Sequence, residues 1–193
     1  MSENPTSVQY RESAHWCDFF EHEAKKESQR AVAIISVSVL DEALVGLLKA
    51  AMLPCPTGND PLFDGAYAPM GSFSAKIDFA CRLGLISAGV AQSLHLVRKI
   101  RNDFAHDISS CSFELASVRN RVRELTTLNQ VAKPERRAQF PEGTFGDFQT
   151  AVSWLIWWIW HLVEQMPTRC PECGMRHRKA SHQGSNADPE TVA

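Results

Sequence analysis

Residues 151–163 read Ala-Val-Ser-Trp-Leu-Ile-Trp-Trp-Ile-Trp-His-Leu-Val, and no other stretch limits the fold so sharply. Wound as a helix, this run is apolar on every side. It falls short of the roughly 20 apolar residues that a bilayer-spanning helix needs, and it contains His161. We read it as a buried helix rather than a transmembrane segment, with peripheral attachment through Trp154, Trp157, Trp158 and Trp160 as the alternative. One face can fill the core of its own chain, but covering the rest takes more protein. The expected assembly is a homodimer in which some of these tryptophans, or the helix carrying Arg101 and His106, meet a second subunit.

The remaining pattern is helical as well. Residues 9–28 form a polar amphipathic stretch with Trp16, Phe19, Phe20 and Ala24 at helical spacing. Residues 29–53 are far more apolar and fit a central core helix, which can run on from the first. Pro54 and Pro56 end it. Asp41 and Glu42, within it, read as a surface pair. Ser72 is placed to cap a helix from Phe73 to Leu83 that stops at Gly84. Ser87 caps a helix to about Ile108, with Val97, Ile100, Phe104 and Ile108 facing inward. Ser112 opens a helix to about Leu128, with Val118, Val122 and Leu125 inward. Thr144 opens the tryptophan-rich helix, which ends before Pro167.

No β alternation or internal repeat interrupts this pattern. The expected fold is all-α, a bundle of five or six helices over residues 1–166, followed by a flexible polar tail over 167–193. At 193 residues the chain is long enough to bury roughly two-thirds of its unfolded surface without staples. A net charge of −2 argues against a nucleic-acid polyelectrolyte, so any nucleic-acid surface would be local. Cys17, Cys55, Cys81 and Cys111 are scattered singly, and the N-terminus lacks a basic and apolar leader pattern. Both point to a reduced, cytoplasmic protein.

Chemistry is concentrated on the helix after Ser87. Residues three and four apart share a helical face, so His95, Arg98, Lys99, Asn102 and His106 form one polar stripe beside the apolar one. Arg101 lies about 140° from His106 around the helix, within reach of a long side chain. Arginine grips phosphate with a planar fork of donors, and histidine titrates near neutral pH. Together they can bind an RNA phosphate and move protons without a metal. The same residues can equally bond to neighbouring helices or stabilise a helix end.

Three segments in order carry a family resemblance: Pro69-Met70-Gly71-Ser72-Phe73-Ser74-Ala75-Lys76-Ile77, then Leu83-Gly84-Leu85-Ile86, then Ile100-Arg101-Asn102-Asp103-Phe104-Ala105-His106. With the helix from Arg30-Ala31 to Leu40-Asp41, they resemble the mannitol repressor family over about residues 28–130. The Arg-Asn-x-x-Ala-His piece is also similar to the broader HEPN class of helical nucleotide- and RNA-associated domains. The first resemblance implies an all-helical regulator of transcription that acts through protein–protein contacts, without an evident DNA-reading motif. The second implies a metal-independent endoribonuclease of a toxin or defence system. There, the Arg and His of two subunits line a shared cleft; the matching positions are Arg101 and His106, with Asn102 as polar neighbour. Weaker similarity continues through the last long helix, where the tryptophan cluster is unusually dense, and the cysteine pair of the tail belongs to neither pattern.

That pair, Cys170-Pro171-Glu172-Cys173, has the shape of half a zinc site. His177 and His182 are the candidate completing ligands, at tighter spacing than usual fingers, and two chains pooling four cysteines are the alternative. A structural zinc is therefore the one candidate cofactor, and none is required by the helical domain. The expected function is regulation by protein contact. The alternatives are an RNA-cleaving enzyme using Arg101, Asn102 and His106, and an adaptor whose zinc-bound tail docks a partner.

Overall fold

The structure, a computed structural model, describes residues 18, 20, 22, 24, 26–56, 58–107, 111–129 and 140–167. Five helices longer than two turns lie among them: α1 (Gln29–Ala51), α2 (Phe73–Arg82), α3 (Ala88–His106), α4 (Ala116–Asn129) and α5 (Thr144–Gln165). No strand occurs among the described residues, so the chain is all-α as its periodicity requires.

Local chemistry sets the helix ends. Ser28, Ser72 and Ser87 each accept a hydrogen bond from the backbone N–H three residues on, starting α1, α2 and α3. Ser28 also separates α1 from the segment before it, because Ala24 and Lys26 lie in turns. The two amphipathic stretches are thus not one continuous helix. At the end of α2, Gly84 takes φ +69°, and the N–H groups of Gly84 and Leu85 donate to the carbonyls of Cys81 and Ala80. This paired closure satisfies carbonyls the helix would leave bare.

The helix expected from Ser112 begins instead at Ala116. The reason is Phe113. Its ring is fully buried, 4.9 Å from Phe104, 5.1 Å from Phe145 and 5.0 Å from Phe148 between ring centroids. Seating this aromatic between α3 and α5 holds residues 113 and 114 in a turn. Val118, Val122 and Leu125 then face inward as expected. The entry to α5 is equally constrained. A Cβ at Gly146 would stand 1.6 Å from the Pro141 carbonyl oxygen, so only glycine lets the preceding loop cross there.

α1 is the hub. It packs against α2, α3 and α5, while α4 bridges α3 and α5. Helices α1, α3, α4 and α5 therefore close a ring around one core, and α2 lies across α1 and α3. Val32, Leu40, Leu44, Leu47 and Leu48 of α1 meet Leu94, Val97, Ile100, Leu155, Ile156 and Ile159 there. By length and composition alone, α1 is long and apolar enough to cross a membrane, but here most of it is buried among its neighbours.

Two cationic side chains fix the relative heights of the helices. Lys76 of α2 donates to both carboxylate oxygens of Asp41 in α1, at 2.8 and 2.7 Å. Asp41 is thus the counterion of a buried ammonium, not a bystander on the surface. Arg30, near the start of α1, donates to the carbonyls of Phe104 and, at 2.8 Å, of Asp107. These lie at the end of α3, where helical carbonyls lack partners and the helix dipole favours a cation.

Candidate functional site

The polar stripe of α3 forms as its spacing dictates. Val97, Ile100 and Phe104 are buried, Lys99 and His106 are exposed, and His95, Arg98 and Asn102 are half-buried. Ile108 lies outside the described residues. Arg101 bends toward the stripe and donates to Asn102 Oδ1 at 3.0 Å. The structure thus brings Arg101 and Asn102 together. It leaves His106 on the last helical turn, with no hydrogen bond to either.

Neighbours within the same motif hold the fold. Asp103 pairs with Arg121 of α4, and Phe104 lends its ring to the aromatic cluster and its carbonyl to Arg30. Cys111 sits beside this junction. Burial pushes its thiol above the ordinary value, Asp103 and Asp107 push the same way, and Arg30 and Arg121 oppose them. A thiol held protonated is a poor nucleophile. The end of α3 is therefore a joint between α1, α3 and α4, with Arg101, Asn102 and His106 displayed on its outside.

His95, at the other end of the stripe, has a partner that no local motif announces. Its Nε2 donates to Asp78 Oδ1 of α2 at 3.0 Å. Its Nδ1 is buried without a partner among the described residues. Asp78 stands on a separate helix, so only the packing of α2 on α3 makes the pair visible. An open groove of about 680 Å³ runs along this side of α3, between α2 and α4.

The third feature is the outer face of α5. Trp160 turns inward and is only 7% exposed. Its ring lies on α1 at Gly46, where a Cβ would sit 3.4 Å from two ring carbons. The other three tryptophans do not follow it. Trp157 is 43% exposed, and Trp154 and Trp158 are half-buried. Trp154 and Trp158 stack with centroids 6.0 Å apart and planes at 19°. Trp157 stacks on His161 at 5.2 Å and 8°, and Gln165 Nε2 donates to His161 Nε2 at 2.7 Å. The rings are mutually braced on one helical face, which lowers the entropy lost when a partner covers them.

No group of three or more His, Cys, Asp or Glu that could hold a metal occurs among the described residues. The candidate zinc ligands Cys170, Cys173, His177 and His182 lie outside them. Comparison with known proteins gives no matching family model, no matching curated protein and no matching solved structure.

Proposed function

We propose that this chain is a regulatory protein acting through protein–protein contacts, assembled as a homodimer on the outer face of α5. The braced tryptophan face carries the reading. Large aromatic rings at a surface are characteristic of contact sites, where they anchor the centre of an interface. Covering what remains exposed of Trp157 alone is worth roughly 2–3 kcal/mol by apolar area. A two-fold dimer presents the same patch twice, so Trp154, Trp157 and Trp158 of one protomer would meet their equivalents. The sequence resemblance to the mannitol repressor family adds the regulatory part, control of transcription without a DNA-reading motif. Deleting the gene should change transcript levels of its regulated genes. Wild type should restore them, and a folded Trp154→Ser, Trp157→Ser double variant should not. Full restoration by that variant would remove α5 from the mechanism.

A second reading is supported by the exposure of His106 and the tie between Arg101 and Asn102. A metal-independent endoribonuclease would use Arg101 as phosphate clamp and His106 as general acid/base. Such an enzyme cleaves RNA in the presence of chelator, leaves cyclic phosphate ends and spares DNA of the same sequence. Its His106→Ala variant would lose about 10²–10⁴-fold in rate. The regulatory reading expects purified wild type to leave varied RNA substrates intact.

A further inference from the structure

The groove along α3 is independent of α5 and of the Arg101–His106 end, and its electrostatics are lopsided. Two carboxylates line it, and both are engaged. Asp78 accepts from His95 at 3.0 Å, and Glu124 accepts from Gln92 Nε2 at 2.6 Å. Three cations also line it, Arg82, Arg98 and Lys99, and none is ion-paired among the described residues. Arg82 and Lys99 are exposed and Arg98 half-buried, so the charge is fixed at two depths. Packing α2 across α3 therefore gathers three cations and two carboxylates into one concavity, an excess of one positive charge, and leaves Arg98 Nε buried without a hydrogen-bond partner among the described residues.

We propose that this groove binds a phosphomonoester carried on a small hydroxylated molecule, of sugar-phosphate size. The two guanidinium groups and the ammonium match a phosphoryl dianion in charge and donor geometry. A volume of about 680 Å³ suits a small molecule more than a chain segment. No Phe, Tyr or Trp is among the residues that line the groove. Ala88 and Ala91 also line it, and Gln92 Oε1 and Glu124 Oε2, outside the bond between the two side chains, can accept from hydroxyl groups.

The site binds and does not catalyse. His95 bonds Asp78 Oδ1 through Nε2, and its Nδ1 is buried without a partner among the described residues. Neither nitrogen faces a ligand as a free base.

Calorimetry on the full chain with ribose 5-phosphate, inorganic phosphate, ribose and an acidic peptide tests this. Ribose 5-phosphate should bind most tightly, inorganic phosphate more weakly, and ribose not at all at millimolar concentration. Arg82→Gln and Lys99→Gln alter exposed side chains and should leave the circular dichroism unchanged. Each should weaken ribose 5-phosphate about tenfold, as losing one charge-assisted hydrogen bond does. Cys81 lines the groove, so ribose 5-phosphate should also slow its labelling by maleimide while leaving Cys55 unaffected. Any of three results would overturn the proposal: no binding of ribose 5-phosphate by folded wild type, wild-type affinity retained by both variants, or tight binding of the acidic peptide alone.

Discussion

Helices α1 and α5 are the two most apolar helices described, and they pack against each other, yet they spend that apolarity differently. α1 has three helical neighbours, and Ile34 is its one large apolar side chain classed as exposed. α5 has two, α1 and α4, and keeps Trp154, Trp157 and Trp158 at least partly in solvent. A hub helix is apolar all round because other helices surround it. A rim helix with a similar composition has a face that the other described helices leave partly exposed. The difference teaches that apolar content alone does not decide how fully a helix is buried; the helices packed around it among the described residues do.

Substitutions should therefore act through different observables in the two helices. Leu44→Ala removes a fully buried side chain from α1 and should cost about 2–5 kcal/mol in denaturant unfolding. Trp157→Ala should cost less than about 1 kcal/mol once extrapolated to the monomer, because most of its loss is at the surface. Equal costs at the two positions would erase the distinction between hub and rim.

The Lys76–Asp41 pair sharpens the hub side. The Lys76 side chain is 6% exposed and that of Asp41 32%. Asp41→Ala strands a buried ammonium and should cost about 3 kcal/mol, whereas Lys76→Met, which leaves the more exposed partner, should cost clearly less. Thermal or urea unfolding of both variants measures the asymmetry, and the reverse order would mean that the ammonium reaches water.

Much of this was legible in sequence. Ser72 and Ser87, spaced before apolar-periodic runs, marked the starts of two helices because capping is local chemistry, while the cap at Ser28 went unread and the helix after it was joined to the stretch before. Period alone placed Val97, Ile100 and Phe104 inside. What escaped was non-local. Nothing near Asp41 names Lys76 as its partner, and nothing near His95 names Asp78. Arg30 serving the end of α3 and Phe113 delaying α4 are likewise consequences of packing between distant segments. Of the candidate site, Arg101 and Asn102 come together through adjacency along one helix. Whether a second subunit brings another Arg101 toward His106 depends on assembly, which no pattern in one chain encodes.

The tail offers a smaller test, outside both helices. If Cys170 and Cys173 bind zinc, Cys170→Ser should remove it from purified, reduced protein without altering helicity, because the buried core of the described residues ends at Val163. Metal content well below one zinc per two chains in wild type would reject the site.

The smallest effect concerns Cys111. Its folded pKa lies above the ordinary 9.0, so it favours the folded state up to that value and loses this contribution as pH rises through the raised one. The practical reading is kinetic. At pH 8, peptide mapping after iodoacetamide should show Cys111 reacting more slowly in folded protein than in urea. Equal rates would mean that the junction of α1, α3 and α4 is open to solvent.

Sedimentation equilibrium on wild type and Trp157→Glu tests the role of α5 most directly. A charge placed in the centre of a tryptophan face should abolish association there and leave the monomer intact, since residue 157 is 43% exposed. Wild type should sediment as a dimer at micromolar concentration, and Trp157→Glu as a monomer with unchanged circular dichroism. A monomeric wild type, or a dimer indifferent to Trp157→Glu, would contradict the assignment of this face as the interface.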